Sequence, residues 1–580
     1  MFVKQLLLGS ALLVMFGCTS IAIDKGSRAG NIAMHEAGVV PSQIIEKPVL
    51  EEVETQISAE LLYGILGGEL LGQRGDFNMA TGFYVAAAKR SKDPAVALRA
   101  VQIALYSKDV AAAVSVIDIL LNAGKQSLEV TRLAFNVYLQ AGDSKNSLQQ
   151  ALVLLKEGQG SQRNRLLALG EIISKAANKQ TALAVVDGLI AATPEDAGGY
   201  LAKSQIILRH KDVDLANESA LKAVELGSDW PVAYMQLARI SVVKGELVKA
   251  LSVLEQANNK LDNNRLRMAY AQLLAKLERY PDAEKVFSNI VKQDESSNEA
   301  RLSLALVYLK LDKSEAAIEE FLILHKVPSY EAKAAYYLGE IYSILGDFES
   351  SIRWLSRVGD GVLYIEARVA MAASMGKQGE IQKARAVLQE LRRVAPKKAT
   401  HFYVLEGEML FDADKPEDML MLMNHAIDEK PDDLILRYAR SIAAAELENI
   451  DLVETDLKMI LEKEPNNVNA LNALGYSIAS MTFRFEEAEG YLRKALKLRA
   501  EDPAIMDSMG WLYYRAGQYE SALELLEKAY RKAPQPEIAF HLGEALWMLG
   551  REEEARKLWL EAVKQDPDDK FSKEISKKLR

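Results

Sequence analysis

The sequence predicts an all-α fold, a solenoid of stacked helix pairs. Three observations carry that prediction. Apolar and small residues recur with helical period through most of the chain, and the pattern returns after ~34 residues. No stretch alternates with period two for long enough to make a strand. The clearest unit runs from Pro503 to Pro534. In its first half Met506, Met509, Gly510 and Tyr513 fall at i, i+3, i+4 and i+7, one stripe of a helix. Gly510 carries no side chain at the crowded position, so a second helix can come close. Ala516-Gly517 then breaks the pattern, as a glycine in the left-handed conformation does at a helix end. Tyr519, Ala522, Leu526 and Ala529 build the second stripe, and Pro534 closes the unit.

These residue types at these offsets resemble the tetratricopeptide repeat. The resemblance implies a right-handed superhelix in which the first helix of each pair lines the inner wall. Such a unit cannot bury its own apolar face, so it must stack on copies of itself. Downstream, Leu542-Gly543, Leu546, Gly550, Ala555, Trp559, Ala562 and Pro567 repeat the pattern. Upstream, Leu474-Gly475, Ala488 and Ala495 do so with one extra residue near Thr482-Phe483, and Leu338-Gly339 and Leu169-Gly170 mark two more units. Weaker copies keep only some of the small residues, as at Ala238, Gly245, Ala250 and Ala257. Carried along the chain, the register puts unit starts near residues 61, 93, 127, 163, 197, 231, 264, 298, 332, 365, 400, 434, 468, 503 and 536. That amounts to about fifteen pairs. In the unit from 127, Gly142 to Ser147 reads as an insertion, and in the unit from 434 no Gly or Pro turn separates the helices.

The two ends read differently. Lys4 precedes LLLGSALLVMFGC, an apolar run too short for a stop-transfer helix, with Gly17-Cys18 where a cleavage site belongs. Cys18 is the only cysteine, so no intramolecular disulfide can form. LVMFGC resembles the bacterial lipobox, although Met15 and Phe16 are bulkier than that pattern usually holds. Residues 1–17 are thus expected to be a lipoprotein signal peptide and Cys18 the lipidated first residue; an ordinary signal peptide is the competing reading. Thr19 after the cysteine resembles the outer-membrane sorting pattern. Residues 18–57 carry Gly26, Gly30, Gly38, Pro41 and Pro48 without periodicity and read as a tether. A coil of ~40 residues spans about 35 Å. Residues 58–569 hold the repeats, and the polar tail 570–580 has the character of a cap that ends the stack.

Composition and motifs exclude several classes. A hydrophobic content of 49% with 26% charged residues belongs to a folded protein. A net charge of −10 with no basic stripe argues against nucleic acid as a partner. The six histidines are scattered, and no H-E-x-x-H pair, phosphate loop or G-x-S-x-G elbow occurs. Acid runs such as Glu552-Glu553-Glu554 fall at helix starts, where carboxylates favour the dipole. No enzyme, metal or cofactor is expected.

What remains is protein binding. The residue after each stripe glycine, and those three and four further on, fall on the inner wall. In the last three units these include Tyr476; Trp511, Tyr514 and Arg515; and Glu544 and Trp547. One turn earlier come Asn469, Asn472, Asp507 and Phe540. Aromatics with Arg are what interface cores are rich in, and amides can hold an extended backbone. The alternative is that Trp511, Tyr514 and Trp547 fill space between repeats. Arg515 is the only basic group in this cluster, so a clamp for a terminal carboxylate is not supported. Elsewhere the wall is mixed, with Glu69, Arg239, Glu340 and Glu408.

A closer likeness lies in the opening unit. Glu69, Gly72-Gln73-Arg74-Gly75, Phe77, Ala80, Tyr84, Ala87, Asp93-Pro94 and Ala100 resemble the start of a group of long tetratricopeptide outer-membrane lipoproteins. LNALGY, DSMGWLYYRAGQYESAL and HLGEALWMLG agree at the far end. The resemblance implies a periplasm-facing, lipid-anchored adaptor at the outer membrane of a Gram-negative bacterium. Its implied partners are a carboxyl-terminal processing serine protease, which it activates, and the cell-wall hydrolases it recruits as substrates. The other reading is a structural scaffold in outer-membrane assembly or polysaccharide export. Gly67 and Gly68 depart from the group's pattern, and each interior Gly costs a helix ~1 kcal/mol relative to Ala.

Overall fold

The computed structural model describes residues 58–123, 127–176, 178–567 and 569–579. The expected signal peptide, the Cys18 lipidation site and the tether lie outside the described residues. Among those described, every regular element is helical, and 31 α-helices run from Ala59–Gln73 to Lys570–Leu579. They group into two compact units, one ending at Ala123 and one beginning at Gly124. The first helices of the fifteen pairs begin at residues 59, 94, 128, 162, 197, 231, 264, 298, 331, 364, 399, 434, 468, 503 and 536, each within two residues of the register read from the sequence.

Local chemistry explains these starts. Asp93, Ser127, Ser161, Asn467 and Asp502 cap first helices by accepting backbone N–H groups that would otherwise be orphaned. Asp76, Asp109, Asp143, Asp347 and Asn449 do the same for second helices. Pro231, Pro416 and Pro536 open helices that lack a side-chain cap.

Among the described residues, the turn inside thirteen of the fifteen pairs places one residue at positive φ. Gly75, Gly142, Gly245, Gly346, Gly379, Gly517 and Gly550 supply it in seven pairs. Lys108, Lys211, Glu278, Asp312, Asp414 and Glu448 take the same conformation without being glycine. Glu448, at φ 54°, is why the unit from 434 carries no turn signal. The stretch Gly142 to Ser147 is corrected in the same way: Gly142 ends one helix, Asp143 caps the next, and that helix starts at Ser144 with nothing inserted. After Met481, by contrast, Thr482 is extended, Phe483 is 84% exposed, and the second helix starts at Phe485.

Packing follows the stripes. A Cβ on Gly510 would sit 2.6 Å from Leu526 Cγ and 3.4 Å from the Ala522 carbonyl oxygen. One on Gly475 would sit 2.6 Å from Leu492 Cγ and 3.1 Å from the Ala488 carbonyl oxygen. Gly67 and Gly68, which depart from the expected pattern, serve the same end: their faces are covered by the Phe83 and Tyr84 rings at 2.8 and 2.6 Å from a built Cβ. The cores run on from pair to pair. Leu457, Leu474, Ile478, Leu492, Met509 and Leu512 belong to one buried cluster contributed by three successive pairs.

Within the larger unit, first helices of successive pairs pack on each other at most junctions, as Val468–Met481 does on Pro503–Arg515 and Pro503–Arg515 on Pro536–Met548. Substantial contact between successive second helices is confined there to Ser144–Glu157 against Lys179–Ala192. Through the C-terminal repeats the first helices are therefore the crowded, inner side.

Two substitutions test this account. Gly510→Ala is expected to lose about 1–2 kcal/mol net, overpacking against Leu526 exceeding the ~1 kcal/mol helix-propensity gain. Glu448→Gly is expected to gain up to about 1 kcal/mol, because relief of the left-handed penalty exceeds the added unfolded-state entropy. Hydrogen-exchange protection of the affected pair reads both, since repeat arrays open locally.

Candidate partner-binding wall

The inner wall of the last repeats is built from Leu434–Glu446, Val468–Met481, Pro503–Arg515 and Pro536–Met548. Asn467 accepts from the Ala470 N–H at 3.0 Å and Asp502 from the Ala504 N–H at 3.0 Å, which fixes where two of these helices begin. The close approaches at Gly475, Gly510 and Gly543 turn the opposite face of each helix inward, toward its neighbours on the wall.

Trp511 is the centre of the wall. Its ring stacks on Tyr514 at 4.8 Å and 16°, and on His541 at 4.2 Å and 25°. The indole Nε1–H donates to Ser480 Oγ at 3.1 Å. His541, 1% exposed, places Nδ1 2.9 and 3.0 Å from the two Asp507 oxygens, and Asp507 is 4% exposed. With an Asp507 oxygen accepting, Nδ1 is the donor of this pair. Tyr514 donates its hydroxyl to Glu544 Oε2 at 3.0 Å, and Lys578 reaches Glu544 Oε1. Phe540 joins the ring cluster 6.3 Å from Trp511 and 5.8 Å from His541. Tyr476 lies 6.1 Å from His541.

Burial dominates the electrostatics. It pushes the Tyr476 hydroxyl well up, with Glu537 and Asp507 adding to it. It raises Tyr514 likewise, helped by Glu544. Glu537 is raised first by burial and then by the Asp507 charge. Asp507, Glu537 and His541 each offer one ligand atom within 4.8 Å of the others, a donor set a divalent cation could use. The direct Asp507–His541 hydrogen bond accounts for two of the three groups without one.

The other expected residues fall apart into separate roles. Arg515 donates to the Ser480 backbone carbonyl of the preceding repeat and is thereby spent on the wall itself. Asn469 is exposed, whereas Asn472 is half-buried and its Oδ1 has no hydrogen-bond partner. Trp547 stacks on Trp559 of its own pair at 5.8 Å, with the Arg556 guanidinium 5.1 Å over it, and it makes no ring contact with the Trp511 cluster. Earlier on the wall, Glu340 is held among Tyr336 and Tyr337, and burial raises its carboxyl to about 7. Glu69 accepts from the Tyr84 hydroxyl and from Arg99 Nε, the latter at 3.2 Å.

Sequence reasoning missed His541, Glu537 and the tail residues Lys570, Phe571 and Lys578. One signal was available. Asp507 and His541 are separated by 34 positions, one repeat period, so an acid and a base share a register position on neighbouring first helices.

The tetratricopeptide-repeat family profile matches residues 268–331 and 508–570. The chain is 29% identical over 549 residues to the TPR repeat-containing protein PA4667 of Pseudomonas aeruginosa, covering 93% of this chain and 90% of that one. Among solved structures it is similar to TTC0263, a thermophilic TPR protein of Thermus thermophilus, at 20% identity and TM-score 0.29, covering 31% of this chain and 99% of that one. It is also similar to the APC/C hetero-tetramer Cut9-Hcn1, at 13% identity and TM-score 0.31, covering 88% of each chain.

Glu340 provides a pH test. Its folded pKa of about 7 stands above the ordinary 4.5, so the fold binds that proton more tightly than the unfolded chain does. This group's contribution is fully present below about pH 4.5 and is lost as pH rises through about 7. Glu340→Gln is expected to flatten the stability profile across that window, read as local hydrogen-exchange protection at pH 5 and pH 8.

Proposed function

We propose that this chain, a tetratricopeptide-repeat protein, acts as a non-enzymatic adaptor that grips protein partners on the inner wall of its C-terminal repeats. The observation that carries this reading is the Trp511 cluster. Trp511, Tyr514 and Phe540 are all half-buried on adjoining first helices, beside the buried Asp507–His541 pair. Interface hot spots are enriched in Trp and Tyr side chains that become fully desolvated when the partner binds. Stacking on one another holds these rings in place, so little rotamer entropy is lost when a partner arrives.

The finer identity rests on the sequence resemblance. The lipobox-like LVMFGC and the opening repeat are similar to those of LbcA, the lipoprotein partner of a carboxyl-terminal processing protease. On that basis the adaptor is anchored through Cys18 at the outer membrane, faces the periplasm, activates such a protease and recruits cell-wall hydrolases to it.

Two experiments decide the matter. Pull-down with a soluble Cys18→Ala chain is expected to recover a processing protease; recovery of outer-membrane assembly or export proteins alone would remove the reading. Trp511→Ala combined with Tyr476→Ala is expected to weaken the recovered partner by ~2 kcal/mol or more. Titration calorimetry on a variant of native helicity measures that loss, and an unchanged affinity would move the site elsewhere.

A further inference from the structure

The helix Lys570–Leu579 does more than close the stack. Ile575 is fully buried with Trp559 and Ala562 in the last core cluster, as an end cap requires. Its first turn, however, reaches away from that cap. Lys570 Nζ lies 2.6 and 2.8 Å from the two carboxylate oxygens of Glu446, a residue 124 positions earlier. Glu446 ends the inner helix Leu434–Glu446, three pairs before the last. Phe571 sets its ring 5.7 Å from Phe540 and 5.8 Å from His541, edge-on to the latter. At the other end Lys578 reaches Glu544 and lies 5.5 Å over the Phe540 ring. The tail thus touches the wall through an aromatic ring set between two lysines, and both lysines meet wall carboxylates.

We propose that the wall between Glu446 and Glu544 binds a protein segment carrying an aromatic side chain flanked by lysine or arginine. The chain's own Lys570–Leu579 helix is the resident occupant, which such a segment displaces. This deepens the partner-binding reading and rests on it. The wall supplies the complementary chemistry: Glu446 and Glu544 at its two ends, and the Phe540 and His541 rings between them. The resident's first turn is weakly held to the wall. Its Lys570–Glu446 pair is solvent-exposed on the lysine side, where ion pairs contribute little, and a ten-residue helix is marginal by itself. Being on the same chain, it still competes at high effective concentration, and it lowers the apparent affinity of any incoming segment by the fraction of walls left open.

The probe is a labelled synthetic peptide of residues 569–579, DKFSKEISKKL, titrated into the folded chain. Lys570→Glu with Phe571→Ala breaks the first-turn contacts to Glu446, Phe540 and His541 while keeping Ile575 in the cap and Lys578 on Glu544. This double variant is expected to bind the peptide at least ~10-fold tighter than the native chain. Adding Glu446→Lys to it is expected to abolish most of that gain. In the native chain, saturating peptide is expected to strip hydrogen-exchange protection from residues 570–572, a readout that needs no substitution. Equal affinity of native and double-variant chains, or peptide binding indifferent to Glu446→Lys, overturns the proposal. Because the probe requires no cellular partner, a positive peptide result with no protease in the pull-down removes the adaptor identity alone. The reverse result removes the tail competition alone.

Discussion

The close approach of two helices at positions too small to hold a side chain is what the rest of the molecule depends on. Where Gly475, Gly510 and Gly543 stand, the second helix of the pair brings Leu492, Leu526 or Trp559 against bare backbone. That contact aligns the two helices but leaves most of the apolar surface of each pair uncovered. The next pair covers it, and the buried clusters accordingly cross from one pair into its neighbours. Stability in such an array is a sum of pair and junction terms, so no single centre governs the whole.

The inner wall is a product of the same constraint. Once the small residues point at the partner helix, the opposite face of each first helix must line up with the same face one period away. Polar groups on that face then pair across junctions. Asp507 meets His541, Tyr514 meets Glu544, and Arg515 meets the Ser480 carbonyl. Buried carboxyl groups elsewhere are paired too: Arg437 and Arg440 converge on the fully buried Asp456 of their own pair, and Arg385 and Arg392 on Glu406 of the next pair. A buried carboxylate left alone would be costly, so each such group disfavours any stacking register that removes its partner. Between these paired groups the rings of Trp511, Tyr514 and Phe540 stay half-buried on the wall.

The register of helix pairs was legible because turns and stripes repeat, and each repetition corroborates the last. Legibility failed where a residue did an unusual job for its type. Glu448 adopts a glycine-like backbone and so hid a turn; Gly142 to Ser147 mimicked an insertion because its capping residues are polar. Gly67 and Gly68 looked like flaws in a helix until the Phe83 and Tyr84 rings that cover them were seen. In each case the deciding neighbour lies in another element, and a single-position reading cannot contain it.

The sequence by itself determined that the described residues form a run of helix pairs and, to within two residues, where each pair begins. These follow from period and residue size, both local properties of the chain. Only the tertiary structure decided which inward residues meet. It joined Trp511 to His541, sent Trp547 to Trp559 instead, spent Arg515 on a backbone carbonyl, and laid Phe571 of the tail beside Phe540. The physical reason is that such contacts depend on the angle and offset between stacked pairs. Those are set by the summed packing of many side chains at each junction, a quantity that no single repeat encodes.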